Sequence, residues 1–146
     1  MNAPLPRIIQ GGMGVAVSSW RLARAVSLRG QLGVVSGTGI DTIVARRLQM
    51  GDPGGHLRAA FDAFPVPAIA RRVWERHYIE GGKSRGAAYK SKAVPTIKMP
   101  RALLDLIVLS NFAEVYLAKT GHTGKVGINL LEKVQLPNLA TLYGAM

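Results

Sequence analysis

The amino-acid sequence predicts an α/β fold in which short parallel strands alternate with helices. Residues 6–10 and 32–36 are short apolar runs that end in glycines, which is typical of strands buried on both faces. Apolar residues at helical spacing lie between them, over residues 20–29. A strand, a helix and a second strand within about thirty residues form two parallel neighbours joined by a right-handed crossover. The pattern fits either an open doubly wound sheet or part of a (β/α)8 barrel.

Local start and stop signals define the helices that follow these strands. Ser18 and Ser19 offer an N-cap for the helix over residues 20–29. Asp41 suits the positive end of the dipole of a second helix, over residues 40–50. The remaining predicted elements are helices over 56–64 and 67–78, a long basic loop over 80–100, a helix over 101–120, a strand over 125–131 and a helix after Pro137.

Composition excludes several classes of protein. Apolar residues make up 48% of the 146 residues and charged residues 18%, so the chain can bury a core and is not disordered. The absence of cysteine excludes a disulfide scaffold, a thiolate metal site and a cysteine nucleophile. No segment is long and apolar enough to span a membrane, and no secretion signal is visible. We therefore expect a cytoplasmic protein.

The net charge of +11 raises the question of a nucleic-acid partner. Many of the arginines lie on the polar sides of predicted helices, where a solvated surface explains them. The other basic residues are concentrated in residues 83–101, with Tyr89 as the one aromatic residue able to stack on a base. We expect no nucleic-acid partner on this pattern. A non-catalytic basic module that binds nucleic acid or an acidic carrier protein through this segment remains the alternative from another functional class.

Glycines and one asparagine follow the predicted strands. Gly12 and Gly14 come after the first strand, Gly37 and Gly39 after the second, and Asn129 interrupts the apolar third. Each Gly-x-Gly lacks the third glycine of a dinucleotide fingerprint, and taken alone each indicates only a tight turn. Ligands bind at the carboxyl ends of parallel strands, however, and matching glycine turns there let a flat ring lie against the backbone. A buried asparagine must also find hydrogen-bond partners, which are backbone groups or a ligand.

The titratable residues form no recognisable catalytic or metal site. The three histidines, His56, His77 and His122, have no metal-ligand spacing and follow no strand. Ser36 lacks the flanking residues of a hydrolase nucleophile. We therefore predict no metal site and assign no catalytic residue.

Three segments in series, residues 6–14, 30–39 and 126–131, resemble the nitronate monooxygenase family, also called 2-nitropropane dioxygenases. The wider group includes the flavin-dependent enoyl reductases of polyunsaturated fatty acid and polyketide synthesis. The resemblance implies the N-terminal part of a (β/α)8 TIM barrel with a helical insertion between strands 2 and 3, binding FMN at its carboxyl face. It further implies that the cofactor-binding residues are Gly12, Met13, Gly14, Ser36, Gly37 and Asn129.

The resemblance also implies an activity and an incomplete domain. Family members oxidise alkyl nitronates with O2, and reduction of an enoyl thioester is the runner-up reaction. The family's catalytic histidine and FMN phosphate loops belong to later strands. Residues 1–146 are accordingly expected to be a single incomplete domain, with 51–100 as a helical and loop excursion, and to be inactive alone. The expected partner is a small-molecule substrate, and a homo-oligomer is left open.

Overall fold

A computed structural model describes residues 5–146 and shows a small domain in which helices predominate. The elements in chain order are α1 (Trp20–Ser27), β1 (Gly33–Ser36), α2 (Ile40–Gln49), α3 (His56–Asp62), α4 (Pro67–His77), α5 (Arg101–Lys119), β2 (Val126–Asn129) and α6 (Asn138–Ala145). No helix within the described residues has the length and apolar character needed to cross a membrane.

The two strands pair in parallel, but they are not the two strands of the predicted crossover. Gly33 lies opposite Val126, and the register runs on to Ser36 opposite Asn129. The predicted strand over residues 6–10 makes only one isolated parallel bridge, between Ile9 and Leu32. Both strands therefore end at the same edge of the sheet.

Helix α5 is the centre of the domain. It is 19 residues long, about 28 Å at the usual helical rise, and packs against α1, α2, α3, α4 and α6. Its buried side chains include Leu106 and Leu109, which are 1% and 0% exposed. The largest core cluster joins them to side chains of α2, α3 and α4, such as Leu48, Phe61 and Val73. The core is therefore formed mainly by helices packed on helices.

The expected N-terminal part of a (β/α)8 TIM barrel, with an insertion between strands 2 and 3, is wrong for the described residues. They form a helix-rich mixed domain with two parallel strands. Ile8 and Ile9 of the predicted first strand are 63% and 64% exposed, so that segment is not a buried strand. Side chains of α3 and α4, which lie within residues 51–100, belong to the main core. An apolar run that ends in glycine indicates local strand character, but it does not determine whether the segment finds a partner in a sheet.

Candidate functional site

The carboxyl ends of β1 and β2 meet, and the loops that follow them are hydrogen-bonded together. The Gly37 N–H donates to the Asn129 carbonyl oxygen at 3.0 Å, directly after the Ser36–Asn129 pair. The Leu131 N–H donates to Thr38 Oγ1 at 2.9 Å. The structure thus brings together Ser36, Gly37 and Asn129, three of the predicted cofactor-binding residues.

The loop after residue 10 contributes Gly12 to the same place. A Cβ atom built on Gly12 would overlap Cγ, Oδ1 and Nδ2 of Asn129, so the carboxamide lies directly against the Gly12 backbone. A side chain at position 12 and the present position of Asn129 are therefore mutually exclusive. This contact joins the loop after residue 10 to the end of β2; the loops after residue 10, after β1 and after β2 are called the first, second and third loops.

Two polar residues that the sequence reasoning missed hold the first loop in place. Gln10 Nε2 donates to the Gly11 carbonyl oxygen and to Ser18 Oγ, while Gln10 Oε1 accepts from the Val34 N–H at 3.0 Å. Ser18 Oγ accepts from the Met13 N–H at 2.7 Å, and its carbonyl oxygen accepts from the Ser36 N–H at 3.0 Å. The signal that could have found Gln10 is a polar side chain at the end of an apolar run, directly before the glycines.

Among the predicted cofactor-binding residues, Asn129 alone has a buried side-chain polar atom without a hydrogen-bond partner. The residue is partly exposed, but Oδ1 is shielded from solvent and has no hydrogen-bond partner among the described residues. An unpaired buried acceptor costs about 1–3 kcal/mol. Asn129 therefore has an unused acceptor at the point where the three loops meet.

Side chains from β2, α5 and α6 pack beneath Gly37. A Cβ on Gly37 would lie 2.7 Å from Ile128 Cδ1, 2.9 Å from Thr141 Cγ2 and 3.0 Å from Asn111 Oδ1. Asn111 is 1% exposed and donates from Nδ2 to the Ile107 carbonyl oxygen at 2.9 Å. The place of Asn111 inside a helical apolar stripe gave no sign that it lies beneath Gly37, because only the tertiary packing brings α5 to the end of the sheet.

The first loop also exposes several apolar side chains. Met13, Val15 and Val17 are 53%, 38% and 58% exposed. Between them Ala16 has a φ of 66°, a left-handed conformation that costs a residue with a Cβ about 1–2 kcal/mol. The Gly14 carbonyl oxygen closes the turn by accepting from the Val17 and Ser18 N–H groups. An exposed apolar loop beside an unpaired acceptor suits a flat apolar ring with a polar edge.

The histidines of the chain lie elsewhere. His56 packs edge-on against Trp20 at 5.0 Å between ring centroids. His122 Nδ1 accepts from the Gly124 N–H, so its Nε2–H donates to the Ala118 carbonyl oxygen at 2.7 Å. Burial, with Arg76 and other cations nearby, lowers the pKa of His77. None of these contacts reaches the strand-end loops, and the described residues contain no group of three potential metal ligands.

Glu114 is a buried acid that stabilises the fold rather than the strand-end site. It is 1% exposed, and burial raises its pKa although the neighbouring Arg47 opposes that shift. Its Oε1 accepts from Arg47 Nη1 at 2.9 Å, and its Oε2 accepts from the Trp20 N–H at 2.8 Å. Glu114 therefore joins α5 to α2 and satisfies the first amide of α1.

The basic segment uses several of its cations within the protein. Lys92 Nζ pairs with Asp41 Oδ2 at 2.6 Å, next to the loop after β1. Gln49 fastens the segment to α2, since its Oε1 accepts from the Lys90 N–H at 2.7 Å and its Nε2 donates to the Lys90 carbonyl oxygen at 3.3 Å. Tyr89 lies under Lys83 Nζ at 4.8 Å, with Arg46 on the ring as well. The one aromatic residue of the segment is thus already engaged by cations.

Comparison with protein-family models, with curated proteins and with solved structures gave no significant match to this chain. The resemblance to nitronate monooxygenases therefore stays a prediction, and the function must be inferred from the geometry of the loops.

Proposed function

We propose that the loops at the carboxyl edge of the sheet bind FMN through its ring, and that the protein is a flavin-dependent oxidoreductase. The observation that carries this proposal is the meeting of Gly12, Gly37 and Asn129, with Asn129 Oδ1 left without a partner. The three loops come from separate parts of the chain. Their convergence leaves one shielded acceptor unused, and a ligand N–H that enters between the Gly12 backbone and Asn129 would satisfy it.

The residues present fit the ring of the cofactor better than its phosphate. Asn129 offers a carboxamide to the polar edge of the ring, whereas Met13 and Val17 offer apolar surface to its face. Gly14 adds no steric obstacle, because a Cβ built on it meets nothing within 4 Å. Lys92 lies near the loop after β1 and is already paired with Asp41, whereas Lys133 is exposed in the loop after β2. Asn129 and the glycine loop thus support ring binding, and no cation–phosphate contact is assigned.

The reaction that this site supports best is oxidation of an alkyl nitronate by O2. FMN, when bound, supplies the redox chemistry that carries electrons from the nitronate to oxygen. A nitronate is already deprotonated, so the protein needs no general base to form it. This agrees with loops whose described contacts involve amides, hydroxyls and backbone groups. Reduction of an enoyl thioester is less well supported, because it requires a proton donor at the site.

A fluorescence titration of FMN with the protein tests the binding step. We expect ring fluorescence to be quenched, and riboflavin to bind within about threefold of FMN because the contacts are to the ring. Asn129→Ala should weaken binding by about tenfold. Gln31→Ala is the matched control, since this amide accepts from the Arg7 and Ile8 N–H groups beyond the opposite end of β1.

Failure of both flavins to bind the folded protein would refute the flavin proposal. Equal loss of affinity in the Asn129 and Gln31 variants would refute the role given to Asn129.

Oxygen consumption separates the two reactions. The expected inactivity of residues 1–146 rested on the partial barrel, which the fold does not show. With FMN supplied, we therefore expect propionate-3-nitronate to drive oxygen uptake, and an enoyl thioester with NADPH to give no NADPH oxidation. NADPH oxidation without a nitronate-dependent rate would favour the enoyl reductase. We propose a cytoplasmic setting for this chemistry, with which the absence of cysteine is compatible.

A further inference from the structure

An apolar groove lies between α6, the first half of α5 and the end of the basic segment. Its volume is about 760 Å³, and its lining is mostly aliphatic. Leu103, Ile107 and Ala140 form a small buried cluster that holds α6 on α5. The backbones of the two helices are in close contact, because a Cβ on Gly144 would collide with the Val108 carbonyl oxygen. The floor of the groove is therefore firmly packed.

The sides of the groove carry large apolar side chains that remain in contact with water. Ile97 is 92% exposed, Leu139 82%, Tyr143 66% and Leu136 50%. Single exposed apolar residues are ordinary, but four around one concave surface are typical of an interaction site. Spacing on α6 adds to this, because Leu139 and Tyr143 are four residues apart and lie on one face of the helix, while Leu136 lies two residues before its start.

The edge of the groove is positively charged. Lys98 is exposed between two lining residues, and the side chain of Arg101 is 75% exposed. The one acid there, Asp105, is buried and accepts from both Arg101 and Arg72, so its charge is already compensated. A second copy of this chain would bring another +11 charge to the surface. Charge complementarity therefore favours an acidic occupant over self-association.

We propose that this groove binds an acidic amphipathic helix of a partner protein. The apolar face of the partner helix packs on Ile97, Leu139 and Tyr143, and the carboxylates of that helix face Lys98 and Arg101. An apolar groove with charged edges is the usual receptor for a helix with anchors at every third or fourth residue. The proposal does not depend on flavin binding.

Anisotropy titrations of labelled model helices test the proposal. The probe is a peptide of about five turns, with leucines along one face and glutamates elsewhere; its control has lysine in place of every glutamate. We expect the acidic peptide to bind, with an affinity at least about tenfold above that of the basic peptide and falling as salt is added.

Single substitutions locate the binding. Leu139→Asp and Lys98→Glu should each weaken the acidic peptide by about tenfold without unfolding the protein, since both side chains are exposed. Leu28→Asp and Lys119→Glu are the matched controls. Leu28 is 51% exposed at the end of α1, and Lys119 ends α5 about 27 Å from Arg101. Both controls should bind like the unmodified protein.

Three results would overturn the proposal. The first is equal or no binding of the two peptides, and the second is acidic-peptide binding that Leu139→Asp leaves unchanged. The third is a dimer, seen by light scattering, that Leu139→Asp converts to monomer, because the occupant would then be a second copy.

Discussion

The contact between Gly12 and Asn129 makes a quantitative prediction about stability. Gly12→Ala adds a methyl group where the Asn129 carboxamide now lies, and overpacking of this kind costs about 1–3 kcal/mol. In an Asn129→Ala background that space is empty, so the added methyl should cost little. The two substitutions should therefore show a favourable coupling of about 1–2 kcal/mol in the free energy of unfolding.

Urea unfolding of the four proteins in this cycle, followed by circular dichroism, gives the coupling directly. Gly14→Ala is the control, because a Cβ at that position meets nothing within 4 Å; it should change stability by less than about 0.5 kcal/mol. If Gly12→Ala costs the same with and without the Asn129 side chain, the first and third loops do not meet. The flavin proposal would then lose the contact between Gly12 and Asn129, on which it rests.

Three further predictions concern the helical part of the domain. Glu114→Leu leaves the partly buried Arg47 without its acceptor and should destabilise the protein by about 3–5 kcal/mol in urea unfolding; a loss below about 1 kcal/mol would contradict this role. Because burial and nearby cations lower the pKa of His77, its contribution to stability is present above its unfolded pKa of 6.5 and is lost as pH falls through the folded value. As pH falls from 6.5 toward the folded pKa, the free energy of unfolding should drop by up to about 1.4 kcal/mol per pH unit, and His77→Gln should remove that slope. Gly144→Ala should destabilise by about 1–3 kcal/mol, despite the better helix propensity of alanine, because its methyl collides with Val108; a higher melting temperature would refute the close approach.

Most of the helices could be predicted from the sequence, because local signals determine them. The predicted helix over residues 101–120 corresponds to α5, Arg101–Lys119, and the predicted helix over 67–78 corresponds to α4, Pro67–His77. Repeating apolar positions and a first-turn proline are properties of a few neighbouring residues. They need no knowledge of the rest of the chain.

The number of strands could not be predicted in the same way. The run over residues 6–10 has the same apolar, glycine-terminated pattern as the run over 32–36. The second becomes the fully buried β1, whereas the first makes one bridge and leaves Ile9 exposed. Strand formation depends on a partner segment and on helices covering the faces of the sheet. The predicted barrel was wrong because the local sequence pattern does not determine which segments pair as strands.

The sequence by itself determined the chemistry available to this protein: no thiol, a strongly basic surface, helices at defined positions, and glycines with one asparagine after apolar runs. Tertiary structure alone decided which of those residues meet. It placed Asn129 against Gly12, put Asn111 beneath Gly37, and left α6 with an apolar surface beside exposed cations. The physical reason is that periodicity fixes the face on which a side chain lies. Contacts between distant segments instead depend on how helices and strands share one core.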